Sequence, residues 1–408
     1  MKCRFCRLDV KLEILNLGTH PPSNSYTSEA RLLHPEPAYP LQVMVCENCW
    51  LVQTRDFVES GTLFNPEYAY FSGTSTGWNN HVGQFVAAAT EEFSLNRESL
   101  VVEIASNDGA LLKHFVARGI PSLGIEPTAS TAGAARTKGV ETIEEFFGAQ
   151  LSRDLHAAGK AADLVVGNNV LAHVPDILDF AVGVELLLKD SGVASFEFPH
   201  LVNLLRFNQF DTVYHEHFSY LSVTAVRAVF EAAGLRVWRV QELSTHGGSV
   251  RVFVCKQTSL RKEEQSVGQA LDLEDTFGLR NPGAYVHLQS RAEKVATDFK
   301  NFLLEEIRLG RRVAGLGAAA KGNTLINFAG VTNQEVPVIF DSAPSKQGLL
   351  TPGAHIPIRP VGEIVDFAPD TVAIFPWNIR EELENELLRL GLSDVRVCTA
   401  VPELRVTK

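Results

Sequence analysis

The chain has 408 residues, 45% hydrophobic and 21% charged, which excludes disorder and collagen-like repeats and predicts two to four domains at about 100–200 residues each. A net charge of −11 argues against a nucleic-acid or anionic-membrane partner, because a phosphate surface would repel the chain overall. No apolar run reaches the about 18 residues of a membrane span and MKCRFCRLDV lacks a signal-peptide core, so a cytoplasmic location is expected.

Residues 1–74 read as short strands and loops, since Pro21, Pro22, Pro35, Pro37 and Pro40 forbid long helices and little of the segment is apolar enough to form a core alone. Two C-x-x-C pairs, Cys3/Cys6 and Cys46/Cys49, stand 39 residues apart. In a reducing compartment such pairs point to metal rather than disulfides, and four thiolates at tetrahedral corners make a closed structural zinc site. Free or redox-active thiols and an iron–sulfur cluster are the alternatives. Cys255 and Cys398 lie in strand-like runs and read as buried core.

From 75 to 260, continuous apolar runs at 100–105, 122–127, 163–169 and 192–199 alternate with helical stretches, which predicts a doubly wound parallel sheet. The first run passes through Glu103 into the turn Ala105-Ser106-Asn107-Asp108-Gly109, and Glu126 ends the next, placed to accept the hydroxyls of a ribose. One glycine with acids in the turn suits the cationic sulfonium and amino group of S-adenosylmethionine better than a pyrophosphate. A purely structural turn is the alternative. Asn168 and Asn169 end a third strand at the same sheet edge, followed by His173.

Tyr214-His215-Glu216-His217-Phe218-Ser219-Tyr220 packs two histidines, an acid and two tyrosines into seven residues. A general base fits this cluster, with a carboxylate to orient or charge-stabilise an imidazole and a phenol to bond a developing oxyanion. Metal ligation by H-x-H is the competing reading. A polar segment, 256–281, then separates the sheet from a C-terminal α/β domain at 261–408, with strands at 311–317, 336–342, 371–377 and 394–400 and a helix at 380–391. Its Gly315-Leu316-Gly317 turn, with Asp341 ending the following strand, is a shortened dinucleotide-like loop or simply a close-packed turn.

Taken in order, the four cysteines, E-Y-A-Y-F-S (67–72), E-I-A-S-N-D-G, Y-H-E-H-F, T-H-G-G-S-V-R (245–251), G-L-G-A-A-A-K-G (315–322) and L-T-P-G-A-H-I-P (350–357) resemble the sugar C-methyltransferases of deoxysugar biosynthesis. The resemblance spans nearly the whole chain. It implies a small zinc-binding module, a central Rossmann-like class I methyltransferase sheet that binds S-adenosylmethionine, and a C-terminal Rossmann-like domain that helps close the site for a nucleotide-linked keto-deoxysugar. It implies His217 as general base beside Tyr214 and Glu216, with Tyr68 as a further active-site phenol and His173 lining the sugar pocket. His246, Lys321 and Asn323 follow as substrate contacts, and Glu103, Asn107, Asp108, Gly109, Glu126, Asn168 and Asn169 as the cofactor set. Ala105 departs from the family's turn, G-x-N-D-G, and the resemblance assigns His215 no role. An NAD-dependent sugar-nucleotide oxidoreductase or epimerase using the C-terminal loop, and a non-catalytic zinc-stapled scaffold, are the competing readings.

Overall fold

The computed structural model describes residues 1–57 and 71–407. Its first strands, β1 (Leu12–His20), β2 (Tyr39–Val45) and β3 (Val52–Thr54), pair antiparallel. Their apolar residues serve two neighbours. Val10, Met44 and Leu51 join the core of the central sheet, whereas Ile14, Leu15, Leu41 and Val43 join a core shared with the C-terminal domain. The segment is wedged between the two larger layers, which supplies the burial that its own composition lacks.

After the helix Thr76–Glu92 come β4 (Val101–Ile104), β5 (Ser122–Ile125), β6 (Glu141–Ile143), β7 (Ala162–Asn168) and β8 (Leu188–Pro199). The two-residue β9 (Ser219–Tyr220) leaves this layer and pairs with β3, tying the tyrosine- and histidine-rich segment to the N-terminal sheet. Then β10 (Leu235–Leu243) and β11 (Ser249–Lys256) complete a seven-stranded sheet of order β10-β11-β8-β7-β4-β5-β6, in which only β11 runs against its neighbours. The chain reverses direction of travel across this sheet between β4 and β7. In an open α/β sheet that switch point leaves a crevice beyond the carboxyl ends of the strands.

The polar segment 256–281 is itself structured. Gln265–Phe277 is helical because Val267 and Ala270 bury one face, and Gly278 stops it at φ 87°. The buried Glu274 of this helix accepts from the amides of Val223 and Thr224 and faces His200 at 2.7 Å, so a charged residue in the supposed separator caps the helix Val223–Ala232. The helix Leu288–Arg308 follows. The C-terminal sheet, β12 (Val313–Leu316), β13 (Ile339–Asp341), β14 (Ile358–Pro360), β15 (Thr371–Ile374), β16 (Arg396–Thr399) and β17 (Arg405–Thr407), has the order β14-β13-β12-β15-β16-β17 with only β17 antiparallel. The helix Arg380–Arg389 lies where its leucine spacing predicts; β14 and β17, three residues each, carry no periodic signal.

Candidate functional site

At the switch point between β4 and β7 a cavity of about 380 Å³ opens, within the range of small-molecule sites. Its walls combine Ile104, Ile125, Phe147, Val174 and Phe180 with Asn107, Glu126, Asn168, Asn169 and His173. Glu145, Asp176 and Asp179 add carboxylates, and no described lining residue is a lysine or arginine. Such a wall favours a cationic ligand over a pyrophosphate. Glu126 is buried, and its two carboxylate oxygens accept from the amides of Asn107 (2.9 Å) and Thr128 (3.0 Å), which hold it rigid. Asn168 Oδ1 and Nδ2 and Asn169 Oδ1 are buried without a hydrogen-bond partner among the described residues. Buried amides left open in this way cost free energy unless a ligand or water meets them. The residues therefore fit S-adenosylmethionine.

Three residues expected in the cofactor set do not line the cavity. Asp108 accepts from Lys138 Nζ at 2.7 Å and from the amide of Gly73 at 3.1 Å, so its carboxylate fastens the segment leading into the helix Thr76–Glu92. Gly109 takes φ 72°, which favours glycine, and a Cβ there would also stand 3.0 Å from Val140 and 3.2 Å from Ala135. Glu103 is buried on β4 with Oε2 unpartnered, and burial pushes its carboxyl well above the usual range, reinforced by Asp108 and Glu126. Ala105 takes φ 55°, the left-handed conformation that glycine would adopt without strain. The cavity's outer wall, Glu145, Phe146 and Phe147, is not marked in the sequence, because E-E-F-F carries no motif.

His173 connects this cavity to the histidine cluster. Its Nδ1 bonds the carbonyl of Glu216 at 2.8 Å, and its ring centre lies 4.7 Å from that of His217. His217 in turn places Nδ1 3.0 Å from the carbonyl of Thr212, so Nδ1 carries the proton and Nε2 the lone pair. That carbonyl, not a carboxylate, orients the imidazole. Burial holds His217 well below the usual histidine range, with His173, His246 and Lys321 acting in the same direction. The Tyr214 ring lies tilted against it, the ring centres 4.0 Å apart. Glu216 turns the other way and accepts from Asn24 Nδ2 at 2.6 Å; burial raises its carboxyl to about 7. His215 also faces away, bonding the carbonyl of Tyr39 at 3.1 Å, so H-x-H presents its rings to different surroundings and is not a metal pair. Tyr68 lies outside the described residues.

His246 occupies a left-handed position, φ 53°, between the ring of Trp78 (5.7 Å) and Asn169 Nδ2 (3.1 Å). From the C-terminal domain, Lys321 Nζ donates to Asn378 Oδ1 at 2.7 Å and sits 4.4 Å from the ring centre of Trp377, whose indole donates to the buried Asp211. Asn323 Nδ2 donates to the carbonyl of Ser23 at 2.7 Å and lies 3.4 Å from the Tyr26 hydroxyl, joining the N-terminal segment to the helix Ala320–Ala329. The dinucleotide-like turn is filled by the protein. Asp341 accepts from the amide of Ala318 at 2.7 Å, the carbonyl of Ala318 accepts from Tyr26 and Lys346, and a Cβ on Gly317 would meet Pro376 at 2.6 Å.

The four cysteine sulfurs lie within 4.8 Å of one another, with Cys3–Cys49 and Cys6–Cys46 at 3.5 Å. Tetrahedral Zn–S bonds of about 2.3 Å require sulfurs about 3.8 Å apart, so the cluster fits that ion. Each knuckle closes identically, with the amides of Arg7 and Trp50 returning to the carbonyls of Cys3 and Cys46 and both residues in the left-handed region. Gln53 Nε2 donates to Cys3 Sγ at 3.3 Å.

Similarity to known proteins extends over nearly the whole chain. Residues 3–64 match the family model of a zinc binding domain, 78–240 that of a methyltransferase domain, and 244–402 that of a C-methyltransferase C-terminal domain. The chain is 34% identical over 408 residues to C-methyltransferase NovU of Streptomyces niveus, covering 99% of this chain and 96% of that one. Among solved structures, magnesium protoporphyrin IX methyltransferase from Synechocystis PCC 6803 with bound SAM aligns with TM-score 0.38 and 16% identity, over 50% of this chain and 100% of that one. A methyltransferase from Clostridium acetobutylicum aligns with TM-score 0.35 and 10% identity, over 44% and 92%.

Proposed function

Since the chain belongs to the family of C-methyltransferases that join a zinc binding, a methyltransferase and a C-terminal domain, we propose that it transfers a methyl group from S-adenosylmethionine to carbon on a nucleotide-linked keto-deoxysugar. The observation that carries this reading is His173, which lines the switch-point cavity and touches His217. A methyl donor in the first can therefore face a proton acceptor beside the second.

S-adenosylmethionine supplies an electrophilic methyl group. Glu126 would accept the ribose hydroxyls, Asn168 and Asn169 would use their open amide groups, and Phe146 and Phe147 would wall the base. His217 is neutral at pH 7, with Nε2 as its lone-pair side, which suits removal of the proton acidified by the neighbouring ketone. The electrons left behind form an enolate. Its oxygen would be met by donors in the cluster, Tyr214 and the Lys321 cation among them, and Tyr68 is assigned there on the family motif alone. The carbon would then take the methyl group as the C–S bond breaks, leaving S-adenosylhomocysteine as a neutral thioether. Glu216, raised to about 7, can hold or release a proton behind His173, whose ring its carbonyl holds. Cys3, Cys6, Cys46 and Cys49 would hold one structural zinc, with no coordination position left for substrate. Metal analysis of purified protein should return one zinc per chain, and a stoichiometry near zero would remove that assignment.

The test supplies S-adenosylmethionine and a nucleotide-linked keto-deoxysugar and follows the product by mass spectrometry and NMR. A new carbon–carbon bond is expected. His217→Asn should keep cofactor affinity and lose about 10²–10⁴-fold in turnover, along with exchange of the α-proton in deuterium oxide. Methylation on oxygen or nitrogen, or full turnover in His217→Asn, would overturn the reading.

A further inference from the structure

Between β1 and β2 the chain makes a long excursion whose residues 23–27 cross to the C-terminal domain. Ser23 Oγ meets Thr324 Oγ1 at 3.1 Å, the Tyr26 hydroxyl donates to the carbonyl of Ala318 at 2.6 Å, and Thr27 exchanges both backbone hydrogen bonds with Leu350. With its neighbours fastened on that side, Asn24 points the other way. Its Nδ2 donates to Glu216 Oε2 at 2.6 Å, and its backbone N–H acts on the same carboxylate.

Glu216 is only 2% exposed. A carboxylate so buried needs donors to hold its charge. Around it stand the phenols of Tyr26 and Tyr220, the His173 imidazole on its carbonyl and its chain neighbours His215 and His217; Lys346 lies beyond, against the Tyr26 ring. Neither phenol brings positive charge. Asn24 is thus suited to stabilise the anion while being unable to take its proton.

We propose that Asn24 is a positioning residue of the reaction centre, holding the Glu216 carboxylate in place from the cysteine-bearing module. This rests on reading the Tyr214–His217 cluster as the reaction centre. The N-terminal module then contributes to the site directly, and not only as a metal-stapled support.

The experiment is a titration of the Glu216 carboxyl by carbon NMR in the full zinc-loaded chain, its resonance identified by loss in Glu216→Gln. A hydrogen bond to a charged group is worth roughly 10- to 100-fold in ionisation, so Asn24→Ala should move the midpoint up by about one to two on the pH scale. Asn24→Asp, of the same shape, replaces the donor with an anion and should move it further; it serves if the alanine variant does not fold. In kcat/KM, the inflection abolished by Glu216→Gln should move equally while zinc content and cofactor affinity stay. A midpoint unmoved in the folded variants overturns the positioning role, and falling zinc content or melting temperature with that midpoint reduces Asn24 to a strap residue. The titration needs no methyl acceptor. A moved midpoint with no methylation of a keto-sugar therefore supports the role of Asn24 and counts only against the proposed reaction.

Discussion

The central and C-terminal sheets share the order of their first five strands, β6-β5-β4-β7-β8 and β14-β13-β12-β15-β16, and differ in what occupies the crevice beyond them. In both, the first strand of the sheet ends in a turn whose leading residue is left-handed, Ala105 after β4 (φ 55°) and Gly317 after β12 (φ 84°). In both, the next strand is followed or ended by an acid, Glu126 or Asp341. Glu126 binds two local amides and still faces a cavity, whereas Asp341 spends itself on the amides of Ala318 and Ala343 and Pro376 closes over Gly317. Topology places a crevice; side chains decide whether it stays open. The filled crevice serves instead to carry Lys321, Trp377 and Asn378 across to Asp211 and the His246 loop.

The sharpest way to break this contrast is to remove both acids. Glu126→Gln should weaken S-adenosylmethionine binding by roughly 10- to 100-fold, the worth of hydrogen bonds to a charged acceptor. Asp341→Asn should leave that affinity unchanged and lower stability by about 1–3 kcal/mol. Calorimetric titration of both variants decides it, and equal losses of affinity would erase the distinction.

A second difference is expected in the response to acid. His173, His215 and His246 are held at about 4 and His217 well below the usual histidine range, each by burial first, so the folded chain binds fewer protons than the unfolded one below about pH 6.5. The stability these groups contribute is present above that pH and lost as pH falls towards 4. Glu216, at about 7, and Asp211, at about 6, act oppositely, as does the raised Glu103: their contribution is present at low pH and lost as pH rises from about 4 to 7. The histidines outnumber the acids, so the melting temperature should fall between pH 6.5 and 4.5. A flat or rising profile in scanning calorimetry would contradict this account of the cluster.

The smallest effects compare the paired turns. Gly317→Ala should cost about 1–3 kcal/mol, because its Cβ meets Pro376 at 2.6 Å in a left-handed position. Ala105→Gly relieves the same backbone strain but adds freedom to the unfolded chain, so a gain below about 1 kcal/mol is expected. Chemical denaturation measures both.

The residue pattern alone determined much of this protein. Continuous apolar runs marked β4, β5, β7, β8, β12, β13, β15 and β16, because strands covered on both faces must be apolar throughout. The paired cysteines marked the four-sulfur cluster, since spacing within a knuckle is local. Glu126, Asn168 and Asn169 were legible because the carboxyl ends of neighbouring strands converge on one edge. What the tertiary structure decided was direction and company. Whether Asp108 meets Lys138, whether His215 or His217 faces His173, and that Asn323 meets Ser23 depend on groups dozens to hundreds of residues away in sequence. Thr212 and Asn24 carried no motif, because a backbone carbonyl has no residue signature and a lone asparagine in a proline-rich loop resembles any turn residue. Side-chain chemistry is written in the chain; which partner it meets is set by packing, and packing is long-range.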